Sequence, residues 1–177
     1  MVGDTQILEP YIEVRYDGTR RYRLALPDFD DAGNLPPGIH AATRGEVAAR
    51  FGYTPVRRVL IAGLERALDL LAAVGCRRAW LDGSFVTLSE RTVGRDPADY
   101  DLCWDIAGVD LAALARREPA LDPLRPDRQV LRERYGGDLF FVVEPLGVGL
   151  LEDFQHDRDD RRKGIVLVDP QEGWAER

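Results

Sequence analysis

The stretch Asp99-Tyr100-Asp101-Leu102-Cys103-Trp104-Asp105 sets two aspartates at the head of an otherwise apolar run, fifteen residues after Ser84 of Leu81-Asp82-Gly83-Ser84. Alternation along a strand points the carboxylates of Asp99 and Asp101 the same way, close enough to share one divalent cation. Like charges on one face repel unless a cation, a proton or a basic side chain lies between them. Aspartate is also depleted from strands and almost never buried unpaired. A hard ion such as Mg²⁺ suits the pair, because it takes one or two carboxylates from protein and leaves its other positions for water and phosphate oxygens. Gly83 lets backbone approach a ligand closely. Ser84, with the backbone N–H groups of a following helix, can seat a phosphate. The pattern therefore asks for a strand, a corner and a second strand around one cleft.

The rest of the chain supplies elements to surround it. Residues 11–16 and 21–26 alternate about Asp17-Gly18-Thr19-Arg20, the pattern of a β-hairpin. Residues 1–26 thus read as a hairpin extension on a main domain of residues 27–177. Residues 27–40 have the proline, glycine and aspartate content of a linker. Thr43-x-x-Glu46 is a capping box that opens a short helix to Phe51. Thr54-Pro55 starts a longer one, whose stripe Val59, Leu60, Gly63, Leu64, Ala67, Leu68 and Leu71 predicts a buried face before Gly75 closes it. A strand over 77–82, a short helix from Ser84 to Glu90, a strand over 99–106 and a helix over 109–117 follow. Residues 118–128 read as loop, and a segment of mixed character runs on to Tyr135. A third strand spans 138–143, residues 147–156 are ambiguous between turn and helix, and a last strand covers 165–168. This order fits an α+β domain, α/β-like in its alternation, with a mixed sheet flanked by helices.

With 177 residues, 45% of them hydrophobic, the chain can bury one core but not two full ones. No apolar stretch is long enough to span a membrane, and Met1 to Pro10 lacks the basic-then-apolar order of a signal peptide, so a cytoplasmic protein is expected. Cys76 and Cys103 lack CxxC spacing and read as buried free thiols. The net charge of −7 disfavours a large nucleic acid as partner, since gripping a phosphate backbone takes a basic surface. His40 and His156 are too isolated to read as a metal pair, and Trp80 and Trp104 read as core. Asp105 shares a face with Asp101 by period and reads either as a site residue or as a helix cap or loop residue.

A strand ending in Gly83-Ser84, a loop, and a strand carrying Asp99-x-Asp101 resembles the signature of the nucleotidyltransferase fold shared by DNA polymerase beta and the minimal nucleotidyltransferases of bacterial toxin–antitoxin operons. The strings Pro27-Asp28-Phe29-Asp30, Leu35-Pro36-Pro37-Gly38-Ile39-His40, Leu81 to Thr87, Asp99 to Asp105, Tyr135-Gly136-Gly137-Asp138 and Phe154 to Arg158 together resemble a family of small bacterial proteins with this predicted fold, over residues 27 to 169. The first resemblance implies Mg²⁺-dependent transfer of a nucleoside monophosphate from a nucleoside triphosphate, ATP among them, to a hydroxyl acceptor, a protein being one candidate. Asp99 and Asp101 would be catalytic metal ligands of a two-ion site, and Gly83, Ser84, Arg158 and Lys163 would bind the nucleotide. Two-metal transfer needs a third carboxylate. The resemblance places it at the third strand, where Asp138 is the first choice and Glu144 the second. Where well-known members carry arginine soon after the Gly-Ser, this chain has Phe85-Val86-Thr87. The alternative is a catalytically silent module that senses nucleotides or binds a partner, such as an operon-encoded toxin. The hairpin extension is an edge through which it could join a partner's sheet or form a homo-oligomer.

Overall fold

Two threonines start the helices that carry most of the core. The Thr43 hydroxyl accepts a hydrogen bond from Glu46 N, and the Glu46 carboxylate accepts one from Thr43 N, so a full capping box opens α1 (Arg44–Phe51). Thr54 caps α2 (Pro55–Ala73), which has proline in its first turn. The computed structural model describes residues 26–143 and 148–172. The hairpin expected over 11–26 therefore lies outside the described residues, Leu26 apart, and so does Glu144.

Among the described residues the sheet has five strands: β1 (Gly38–Ala41), β2 (Ala79–Asp82), β3 (Tyr100–Asp105), β4 (Gly137–Val142) and β5 (Gly164–Val168), in the order β1-β5-β2-β3-β4. β1 runs parallel to β5 and β3 parallel to β4, while β2 is antiparallel to both of its neighbours. The remaining described helices are α3 (Ser89–Thr92), α4 (Leu111–Arg117), α5 (Arg128–Tyr135) and α6 (Val148–Asp153). The fold is thus mixed α+β, as the order of elements suggests. Among the described residues no helix is long and apolar enough to cross a membrane.

Alternation divides the strands between two apolar clusters. Leu81, Tyr100, Leu102, Trp104 and Leu139 face Phe51, Leu64, Leu68, Leu114 and Leu131 from the helices. Trp80, Cys103, Val142 and Ile165 face the other way, where Leu151 of α6 packs on them with Phe140 and Phe154. Each large side chain withdrawn from water in this way contributes roughly 1.5–3 kcal/mol. Gly63 brings α2 against the end of α5 so closely that a Cβ there would sit 1.8 Å from the Tyr135 carbonyl oxygen. That contact sets where α5, and with it the start of β4, lies over the sheet.

Several sequence expectations change. Val59 is 72% exposed and belongs to the solvent face of α2, not to its buried stripe. The linker over 27–40 ends in β1, and the mixed segment before Tyr135 is the helix α5, whose Asp127 side chain accepts from Val130 N as its N-cap. The helix expected from Ser84 to Glu90 is instead one 3₁₀ turn, Ser84–Val86, followed by α3. The ambiguous region after 147 holds α6. Cys76 and Cys103 are buried free thiols, as expected, and burial pushes them up to about 11 and about 12. Trp80 and Trp104 are core residues.

Candidate functional site

Strand register collects the acidic residues. Asp82 of β2 pairs with Asp101 of β3, and Asp101 pairs in turn with Asp138 of β4. Directly paired residues share a face of a sheet, so three carboxylates form a row across three adjacent strands. Asp99 lies one strand period before Asp101, at the mouth of the row. The next row along the same face is apolar: Trp80, Cys103 and Phe140, again in register. Acid therefore meets a dry floor, where charge is poorly solvated.

Gly83 turns the chain at the end of β2 with φ +84°, a conformation that favours glycine. A Cβ there would lie 2.7 Å from Asp101 Oδ2, so the glycine is required by the close approach as well as by the backbone. Ser84 is exposed beside it. The loop is held from below by Arg57 of α2, which is fully buried. Its guanidinium donates to the carbonyls of Phe85 at 2.6 Å and Thr87 at 2.7 Å, and to Glu90. Burial alone would raise the Glu90 carboxyl, but hydrogen bonds from Arg57 and Tyr53 outweigh it and hold Glu90 down at about 2.

The row divides into paired and unpaired acids. Lys163, just before β5, is buried against Asp82 and donates to it. Burial raises the Asp82 carboxyl, and the Lys163 ammonium opposes that rise. Arg132 of α5 grips Asp138 with both arms, Nε to Oδ1 at 2.7 Å and Nη2 to Oδ2 at 2.6 Å, and comes within 3.8 Å of Asp99. Arg128, one turn earlier, lies 3.4 Å from Asp138 and over the Phe140 ring. Among the described residues nothing donates a hydrogen bond to Asp101 or forms an ion pair with it. Burial first, then the charges of Asp82, Asp99 and Asp138, push it up to about 6. Among the described residues no three His, Cys, Asp or Glu side chains are gathered as a ready-made metal cage, and three of the four acids lie against cations of the chain itself.

Asp101 titrates where a cation would compete with its proton. Mg²⁺ affinity is expected to fall about tenfold for each pH unit below that value and to level off about one unit above it. Calorimetric titration across this range reads it directly. A flat profile would mean that Asp101 does not take the ion.

The other sequence candidates fall elsewhere. Asp105, at the far end of β3, pairs with Arg78 and accepts from Ala107 N in the turn that follows, while the cap of α4 is Asp110. Arg158 is exposed and, among the described residues, makes no ion pair with the row. The His156 ring lies 3.0 Å from the Glu152 carbonyl oxygen and the His40 ring 2.7 Å from that of Pro36. Asp82, Arg57, Arg128 and Arg132 were not singled out by the sequence. Strand parity puts Asp82 on the face of Trp80 and, through the Gly-Ser corner, beside Asp101, a signal that was legible. The arginines' roles come only from tertiary packing.

Fold and site together define a mixed α+β domain with an acidic row across the central strands and a Gly-Ser corner at its end. Residues 27–169 match the model of the family of unknown function DUF6932, and the chain belongs to that family. No curated protein matches the chain, and no solved structure does.

Proposed function

We propose that this domain is a Mg²⁺-dependent nucleotidyltransferase with a fold akin to that of DNA polymerase beta and the minimal nucleotidyltransferases. The observation that carries the reading is the register, which sets Asp138 directly beside Asp101 with Gly83 packed against the Asp101 carboxylate. The residues suit a divalent cation, because Asp101 is half-buried, surrounded by acids and, among the described residues, without an ion-pair partner of its own. Asp99 and Asp101 would hold the ion and Asp138 would complete the set. Bound there, Mg²⁺ would supply charge neutralisation for the triphosphate and for the entering and leaving oxygens. Gly83 and Ser84 would seat the phosphates on the exposed corner that Arg57 fixes. Lys163 keeps Asp82 from adding an uncompensated charge beside Asp101. In the transfer a bond forms between the acceptor oxygen and the α-phosphorus, the bond from that phosphorus to the β-phosphate oxygen breaks, and pyrophosphate leaves. The acceptor's proton departs on the Asp138 side.

Incubation with Mg²⁺, α-labelled nucleoside triphosphates and a bacterial lysate is expected to yield a labelled acceptor. The grip of Arg132 on Asp138 favours a second reading, a catalytically silent nucleotide sensor or partner-binding module, since it leaves the third carboxylate engaged. Calorimetry with ATP, GTP, CTP and UTP separates the two. Tight binding without label transfer supports the silent module, and no binding of any of the four sinks both nucleotide readings.

A further inference from the structure

Asp138 is 5% exposed and both of its oxygens are taken by one guanidinium. Each oxygen keeps a second lone pair, but a buried carboxylate held by two arms and faced by a cation is poorly placed to take a metal ion as well. A bidentate arginine–carboxylate pair is among the stronger charge-assisted contacts, so the carboxylate is freed only by something that gives Arg132 an equivalent partner. The Arg132 side chain is 54% exposed and stands on the outer side of the row, so it can turn away from the sheet without disturbing packing. Its surroundings show what it would turn to. Arg128 stands one helical turn away, and the two arginines with Gln129 and Glu133 line an open hollow of about 390 Å³ along the exposed face of α5. Two guanidinium forks around a hollow match the oxygens of a phosphate, which arginine binds in the same two-armed geometry as a carboxylate.

The geometry points to an acceptor that is itself phosphorylated: a small alcohol carrying a phosphate near its hydroxyl, whose phosphate draws Arg132 off Asp138 and so frees that acid for the hydroxyl it activates. The inference rests on the nucleotidyltransferase reading and adds the substrate class and the condition for turnover. The chain's net charge of −7 favours a small phosphorylated molecule over a long nucleic acid. An acceptor without the phosphate leaves Arg132 in place and the row incomplete. Specificity then comes from releasing a residue of the site as well as from fitting the acceptor.

Counting Mn²⁺ bound to the full chain by equilibrium dialysis with electron paramagnetic resonance tests this without any turnover. The wild type alone is expected to hold about one equivalent, at Asp99 and Asp101, and about two with ribose 5-phosphate present but one with ribose. Arg132→Gln is expected to hold about two with no phosphate added, while Arg128→Gln, which removes the same charge without opening the two-armed grip, holds one. Adding Asp138→Asn to Arg132→Gln returns the count to one. Two equivalents in the wild type alone, one in Arg132→Gln, equal counts in the two arginine variants, or equal effects of ribose and ribose 5-phosphate would each overturn the inference and leave the parent reading standing. A second equivalent released by a short oligoribonucleotide but not by ribose 5-phosphate would overturn the small acceptor. No Mn²⁺ bound by any form would overturn the nucleotidyltransferase reading itself.

Discussion

Replacing Asp101 by asparagine is expected to lower Mg²⁺-dependent transfer by about 10³-fold while making the protein melt at a higher temperature. The two effects share one cause. Folding raises the Asp101 carboxyl from an ordinary 3.8 to about 6, through burial and the neighbouring acids, so the folded chain binds that proton more tightly than the unfolded chain does. The group's contribution to stability is therefore fullest below the lower value, is lost as pH rises through the upper one, and leaves a net cost at neutral pH. After discounting for solvent screening at this half-buried position, the cost is roughly 1–2 kcal/mol. Removing it should raise the melting temperature by about 3–6 °C near neutral pH for a chain of this size. The gain should vanish in melts near the lower value, where both chains carry an uncharged group. A lower melting temperature at neutral pH, or unchanged Mg²⁺ binding, would refute the assignment of Asp101 as the unpaired ligand.

The second large effect is expected beneath the Gly-Ser corner. Arg57→Met leaves the carbonyls of Phe85 and Thr87 without this donor and the carboxylate of Glu90 with Tyr53 alone. Removing one partner of a buried charge network costs about 3–5 kcal/mol, which lowers the melting temperature by roughly 10 °C. Glu90 gives the effect a pH signature. Its carboxyl is held at about 2, below the ordinary 4.5, so its contribution is present above the ordinary value and lost as pH falls through the lower one. The penalty of the substitution should therefore shrink in acid. Arg57→Lys retains a charge but not the fork, and should fall between the two. A methionine variant that melts within a degree or two of the wild type would show that the loop holds its shape without Arg57.

The sequence made some of this legible and hid the rest for physical reasons. α1 and α2 were readable because threonine caps and an apolar stripe are local signals, and only Val59 strayed from the stripe. β1 was hidden because Gly38-Ile39-His40-Ala41 follows two prolines and is a strand only through parallel pairing with β5, far along the chain. α5 was hidden because it buries only Leu131 and Tyr135, too few apolar positions to show a period among its arginines and glutamate. In the site, Asp99, Asp101 and the Gly-Ser corner were readable from neighbouring residues. Asp138 is a candidate only through a resemblance, and the register of β3 and β4 sets it beside Asp101. Lys163, which the resemblance makes a ligand for the nucleotide, is turned inward on Asp82, a partner that no local pattern could supply.

The strand order also bears on how the chain is made. β5 is the last described strand to leave a ribosome, yet it sits between β1 and β2, and among the described residues β1 pairs with β5 alone. A nascent chain that has released β2, β3 and β4 already owns the acidic row but lacks Lys163, so Asp82 has no counter-ion and β1 no place to dock. Synthesis therefore passes through an interval in which half the sheet exists with an open, charged seam along β2. A stalled or prematurely stopped product would expose that seam to proteases and to other strands, while closure by β5 seats the lysine and completes the sheet in one event.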